Sequence, residues 1–413
     1  MTGHPKAALS LSYGEFMPNL RKLENAMPVA PLKIVAMDSS VKIVKSVDHY
    51  LVDFRKKMDS KLKTDPAFRG YLEPTYLMDV QCPRFGTGEA KAVFKESVRG
   101  VDLFILVDVC NNSITYRMNG YINHMSPDDH YQDLKRIISA ATGKARRINV
   151  IMPYLYEGRQ HKRNTRESLD CAYALEEMTS MGVSNIVTFD AHDPRVQNAT
   201  PLCGFDNFSA YYQFLKALLN GEDDMIIDKD HTVVISPDEG ALDRAIYFAN
   251  VLGVDAGMFY KRRDYSTIVN GKNPIVAHEF LGDDIDGKDV IIIDDIISSG
   301  ESMLDTAKQL KKMNAKRIFI LATFGQFNNG TEAFDKAYEQ CVFDKIITTN
   351  LIYTPESIKS KPYYLEADVS KFIAQIIDFM NHDISVANVM TSTDKIHEVV
   401  DKYNKRIGYE INE

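Results

Sequence analysis

Two adjacent carboxylates, Asp294 and Asp295, end the apolar run in VIIIDDIISSGES at residues 290–302. Acids at the end of a buried strand are costly unless something binds them. In an open parallel sheet, ligands sit in the crevice outside the carboxyl ends of the strands. The loop that follows holds Ser298, Ser299, Gly300, Glu301 and Ser302 and leads into a helical pattern. The first N–H groups of such a helix favour an anion. A phosphate suits the loop. The carboxylates suit sugar hydroxyls beside it, because they accept hydrogen bonds from a neighbouring pair. The expected ligand is a phosphorylated sugar. The plainer alternative is a capped helix after a buried strand, with Asp295 solvated.

Other strand exits carry reactive groups. YEGRQHKRNTRES (156–168) is strongly basic in an otherwise acidic chain, and Arg159 with Gln160 could grip a polyphosphate through the planar guanidinium fork. A solvated basic helix start is the alternative. TFDAHDPRVQ (188–197) puts Asp190 and His192 just past another apolar run, where contact with metal or phosphate stands against the usual structural role of a lone histidine. SPDEGALDRA (236–245) supplies Asp238. In FGTGEAKAVFKESVRG (85–100), Phe85 could cover a base and Gly88 lets backbone approach closely, although Phe85 also suits a core. YKRRDYSTIVNGKNPIVAHEFLG (260–282) opens on Lys261, Arg262 and Arg263 and contains Gly271 and Pro274. Three clustered cations repel one another unless a polyanion arrives, which suits a lid over a charged transition state. An exposed basic loop is the usual fate of such a run.

Short apolar runs must position these groups. LKIVAM (32–37), DLFILVD (102–108), RINVIMPY (147–154), NIVTFD (185–190), TVVISPD (232–238), DVIIIDD (289–295) and RIFILATF (317–324) predict strands buried on both faces. Amphipathic stretches lie between them. In SMLDTAKQLKKM (302–313), Met303, Ala307 and Leu310 share a face, and Lys308, Lys311 and Lys312 sit near the carboxyl end, where cations suit the dipole. Alternating strand and helix signals mean α/β. RGVDLFILVD (99–108) echoes DGKDVIIIDD (286–295), and KARRINVIMP (144–153) echoes NAKRIFILAT (314–323), in the same order. The echo suggests two similar domains. The first half has extra residues at about 111–129, expected as a surface insertion. The polar, proline-punctuated residues 1–31 and the charged, helix-like 391–413 are expected as extensions.

Composition narrows the function classes. The chain has 413 residues, 45% apolar and 26% charged, enough for two domains with ordinary cores. A net charge of −8 makes nucleic-acid backbone a poor partner. No apolar run is long enough for a spanning helix, and no hydrophobic signal core opens the chain, so no membrane partner is expected. Five scattered cysteines form neither a metal spacing nor a disulfide framework, which suits a cytoplasmic location.

VIIIDDIISSGES resembles the phosphoribosyl diphosphate motif of the type I phosphoribosyltransferase fold. PYLYEGRQHKR, TFDAHD, SPDEGA, FGTGE and YKRR resemble, in order, segments of the ribose-phosphate pyrophosphokinases. Later segments, TFGQFNNGTEAFDKAYE (323–339) and TTNLIY (348–353), look like that family's later strands. The resemblance implies two type I phosphoribosyltransferase-like domains, each a mostly parallel sheet flanked by helices, at 32–200 and 201–390. It implies transfer of the β,γ-diphosphoryl group of ATP to the anomeric hydroxyl of ribose 5-phosphate, for nucleotide biosynthesis. By that resemblance Arg159, Gln160, Phe85, Thr87, Gly88 and Glu89 contact ATP, the 85–89 loop from a neighbouring subunit. Asp294, Asp295, Ser298, Ser299, Gly300, Glu301 and Ser302 take ribose 5-phosphate. His192 and Asp238 hold Mg²⁺, with nucleotide oxygens completing its shell. Lys261 and Arg263 stabilise the group in transfer, and a homo-oligomer, dimer or hexamer, is expected. Thr87, Ala241, His161 and Glu301 depart from the family pattern. Three rivals remain from sequence: a phosphoribosyltransferase, which would lack the 260–282 lid and the Arg159-Gln160 pair; a silent nucleotide-binding homologue; and a diphosphokinase for a modified ribosyl substrate.

Overall fold

The computed structural model describes residue 23 and residues 26–58, 65–263, 275–387 and 393–409, without the side chains of 261–263 and 275–278. Two sheets carry the chain. The first has five parallel strands in the order Leu32–Ala36, Asp102–Leu106, Arg147–Ile151, Asn185–Phe189 and Gly204–Phe208. The second runs Ile275–Leu281, Asp255–Arg263, Thr232–Ser236, Asp289–Ile297, Arg317–Gly325, Lys345–Thr349 and Tyr364–Ala367. Its neighbours are parallel except at the Ile275–Leu281 edge, which is antiparallel. DLFIL and TVVIS are buried at every position, as strands covered by helices on both faces must be.

Every apolar run expected as a strand forms one. Asp255–Arg263, Ile275–Leu281 and Lys345–Thr349 lay outside those seven runs, as did Gly204–Phe208 and Tyr364–Ala367. The last two are edge strands with partly exposed polar residues, so no apolar run marks them. The insertion is an antiparallel hairpin, Thr115–Met118 with Tyr121–His124. Asn119 and Gly120 at its tip both have positive φ, 51° and 87°, the backbone that a two-residue Asn-Gly hairpin turn requires.

The internal echo has a structural counterpart. Asp102 lies in register with Arg147, and Asp289 with Arg317. Arg147 Nε and Nη2 donate to the Asp102 carboxylate at 2.9 and 2.8 Å. Arg317 Nε and Nη2 donate to Asp289 at 2.8 and 2.6 Å. The same two-pronged pairing thus ties the same two strands in each sheet.

The halves are sewn together from the far side. The helix Ser370–Asn381 follows the second sheet yet packs on Val41–Lys56 of the first. Arg55, fully buried there, donates from Nε to Asp378 at 2.9 Å and from Nη2 to Asn381 at 2.7 Å. The charged terminal segment forms the helix Thr393–Ile407 and docks on Tyr211–Gly221 and Leu242–Leu252. Its Tyr403 hydroxyl accepts from Met225 N at 2.9 Å.

A second junction is sensitive to pH. Asp108, just past the strand Asp102–Leu106, accepts from Tyr353 N of the second half at 2.6 Å and from Cys110 N at 2.9 Å. Burial pushes its carboxyl up to about 7, against the pull of those two N–H groups. The folded value lies above the ordinary 3.8, so its stabilising contribution is complete below that value and is lost as pH rises through about 7. We predict that Asp108→Asn, which cannot ionise, gains a few kcal/mol relative to wild type between about pH 4 and pH 8. Thermal unfolding of both proteins across that range checks it; a constant difference would contradict the assignment.

Candidate functional site

Strand ends from the two halves meet at the acid pair. His192, past Asn185–Phe189, places Nδ1 2.6 Å from Asp295 Oδ2. Asp295 N donates to Asp294 Oδ1 at 2.8 Å. Behind them lies Arg244, from the helix Leu242–Leu252. Its Nε donates to Asp190 Oδ1 at 2.8 Å, and its Nη1 and Nη2 lie 3.5 Å from Asp294 and 3.9 Å from Asp295. Thr323 Oγ1 donates to the other Asp190 oxygen at 2.7 Å. One guanidinium with 9% of its side chain exposed therefore joins three carboxylates from both halves.

Burial sets the titration of this cluster. Burial and the neighbouring Asp295 charge push the Asp294 carboxyl well above the ordinary range. Asp295 goes the other way: burial disfavours its charge, but the His192 hydrogen bond and Arg244 hold it down at about 2. The Asp295 hydrogen bond raises the His192 imidazole against its burial. Burial likewise raises Asp190, opposed by Arg244. Two adjacent carboxylates resist ionising together, so the pair is driven apart, Asp294 upward and Asp295 downward.

The loop at 298–302 is shaped by one glycine. Gly300 has φ +82° and precedes the helix Glu301–Lys312. A Cβ added there would lie 2.1 Å from Phe334 Cζ, so only glycine fits. Ser298 Oγ accepts from Asn328 Nδ2 at 3.0 Å. Glu301 is exposed in the first turn, where its charge suits the dipole.

An open cleft of about 300 Å³ unites these parts. Arg159, His192, Asp238, Asp294, Asp295 and residues 298–302 all line it. Arg159 also lines a narrower crevice with Tyr154, Phe189 and Phe324. Gln160 instead donates its amide to Ser168 O at 2.8 Å, within its own loop. His161 turns to Asp193, 3.4 Å away. The 85–89 turn is closed by Phe85 N to Glu89 O at 2.7 Å and by Thr87 Oγ1 to Glu89 Oε2 at 2.9 Å, with Phe85 53% exposed. It does not line the cleft of its own chain. Lys261 and Arg263 end the strand Asp255–Arg263, beside Thr232–Ser236, whose carboxyl end leads to Asp238. Two strand spacings, about 10 Å, separate that strand from Asp289–Ile297. Of the 260–282 segment expected as a lid, the two ends belong to the antiparallel strands Asp255–Arg263 and Ile275–Leu281, and residues 264–274 and the Lys261 and Arg263 side chains lie outside the described residues.

Arg244 lies within SPDEGALDRA but was not among the expected site residues. Its signal was a cation on the apolar face of a helix, three residues after Ala241 and four before Phe248, both buried. Among the described residues no group of three or more His, Cys, Asp or Glu converges as a metal cage. His192 and Asp238 nevertheless face one cleft, and Mg²⁺ typically takes few protein ligands and keeps waters and phosphate oxygens.

Residues 32–182 match the family model described as the N-terminal domain of ribose phosphate pyrophosphokinase, and residues 210–361 match the phosphoribosyl transferase domain. Ribose-phosphate pyrophosphokinase of Mycoplasma genitalium is 27% identical over 311 residues, covering 75% of this chain and 85% of that one. The Corynebacterium glutamicum protein of the same name is 28% identical over 306 residues, covering 74% and 86%. Among solved structures, phosphoribosylpyrophosphate synthetase from Mycobacterium smegmatis shares the fold, with a TM-score of 0.65, 22% identity, and coverage of 85% of this chain and 99% of that one.

Proposed function

The chain belongs to the ribose-phosphate pyrophosphokinase family, and we infer that it makes 5-phosphoribosyl 1-diphosphate and AMP from ribose 5-phosphate and ATP. One observation carries the reading to this chain's own residues: the acid pair, the 298–302 loop, Arg159, His192 and Asp238 open on a single cleft between the halves.

In this reading the anomeric oxygen attacks the β-phosphorus. A new O–Pβ bond forms, the bond from Pβ to the α,β-bridging oxygen breaks, and AMP leaves with that oxygen. The hydroxyl proton is released. Asp294 and Asp295 hold the ribose hydroxyls, and residues 298–302 hold the 5-phosphate. Arg159 holds the ATP phosphates, with Gln160 bracing its loop. The 85–89 loop meets the base from a neighbouring subunit, so the working unit is a homo-oligomer. His192 and Asp238 would hold Mg²⁺, whose charge offsets that of the phosphates when bound. Lys261 and Arg263 stabilise the diphosphoryl group in flight. Such transfers are mostly positioning and charge stabilisation. A cytoplasmic setting suits these substrates, and no helix among the described residues is long and apolar enough to cross a membrane.

The test uses γ-labelled ATP with Mg²⁺ and ribose 5-phosphate. The label should move to a diphosphorylated sugar, in step with AMP and only when the sugar phosphate is present. Label leaving as free phosphate, or no AMP, would overturn the reading.

A further inference from the structure

The inserted hairpin does not stand free of the rest of the fold. Its tip residue Asn119 donates N–H to Gly86 O at 2.9 Å, inside the 85–89 turn. Its Met118 presses on Gly88: a Cβ added there would meet Met118 Sδ at 2.7 Å, and Gly88 already has φ +95°. A second tie runs through Arg84, immediately before the turn. The Arg84 guanidinium donates twice to Asp133, both at 2.8 Å, and lies 4.8 Å from the Tyr116 ring of the hairpin. Tyr116 in turn donates its hydroxyl to Asp129 at 3.3 Å, one helical turn from Asp133. Asp129 is itself fixed in a capping box with Ser126 at the start of the helix Pro127–Ala141. Hairpin, turn and helix start thus form one braced unit, with Arg84 held between a carboxylate and an aromatic face.

Without the hairpin the turn would keep its own closing bonds, the bridge between Arg84 and Ala90 and the Arg84–Asp133 pair, but would lose the Asn119 bond to Gly86, the Met118 contact on Gly88 and the Tyr116 face over Arg84. A loop that must be ordered on binding loses affinity, and one already held in place does not. We propose that the 115–124 hairpin is a positioning element that holds the 85–89 loop in its nucleotide-binding shape and so sets the affinity for ATP. The proposal rests on the reading that this loop meets the base. Its Phe85 ring stays 53% exposed for a ligand while the backbone beneath it is pinned.

The ends of the hairpin are already adjacent, with Met125 N donating to Ile114 O at 2.8 Å, so a short glycine-rich turn can replace residues 115–124. Three variants are compared by steady-state kinetics: that replacement, Met118→Ala, and Phe85→Ala. The replacement should raise KM for ATP about tenfold, with kcat and KM for ribose 5-phosphate within about twofold of wild type. Met118→Ala should raise KM for ATP about threefold, and Phe85→Ala about as much as the replacement. A raised KM in Phe85→Ala with none in the other two would overturn the brace and leave the loop's role standing. Unchanged KM in all three would overturn both. If the replacement does not fold, Met118→Ala decides by the same criterion.

Discussion

In the Lys261→Ala enzyme, kcat should fall by about 10² to 10³ while ATP binding stays within about threefold, because removing one charge-stabilising donor typically costs that much. Lys261 lies on a strand parallel to Thr232–Ser236, three residues past Met258, the last to pair with it, so it stands beyond the end of the sheet strand that leads to Asp238, and the acid pair lies on the next strand along. About 10 Å of lateral distance is short enough for a lysine on that strand to act on a ligand seated between those strands. The transferred diphosphoryl group gains its charge redistribution only in the transition state. A cation that acts there changes kcat more than binding. Wild-type turnover in Lys261→Ala would remove the residue from the chemistry. A parallel loss of kcat and ATP affinity would make it a ground-state binder instead.

Arg244→Ala should cost about 3–5 kcal/mol of stability, because removing one partner of a buried ion cluster strands the others. Three carboxylates, Asp190, Asp294 and Asp295, would then face one another across the halves without the guanidinium that joins them. The acid pair could no longer hold its present geometry, so KM for ribose 5-phosphate should rise by at least about tenfold. Arg244→Lys separates position from charge. It keeps the cation but loses the fork that reaches Asp190 and the acid pair together, so it should recover most of the stability and only part of the KM. Full recovery of both in Arg244→Lys would show that charge alone matters. An unchanged KM in Arg244→Ala would detach the guanidinium from the sugar site.

The elements that were easiest to read in the sequence are those with local causes. VIIIDDII had to be a covered strand, and the glycine of SSGES had to mark a turn that only glycine can make; Gly300 faces Phe334 for that reason. The Asn-Gly pair at 119–120 carries an equally local signal for a hairpin, although residues 111–129 were expected only as a surface insertion. What the sequence hid is long-range. Arg244 and Asp190 are far apart in the chain and come from different halves, and no spacing rule links them. The Asp102–Arg147 and Asp289–Arg317 pairs were hidden for the same reason, although the repeated segments around them were visible. The contact between Met118 and Gly88 joins an insertion to a motif, and nothing in either segment announces the other.

The central claim is that both halves build one reaction cleft. A crystal structure with ribose 5-phosphate, Mg²⁺ and a non-hydrolysable ATP analogue tests it most directly. The account predicts ribose hydroxyls on Asp294 and Asp295, the 5-phosphate in the 298–302 loop, triphosphate on Arg159, and Lys261 brought to the β-phosphate. Sugar phosphate bound elsewhere, or Lys261 remote from the ligands with both substrates in place, would contradict it.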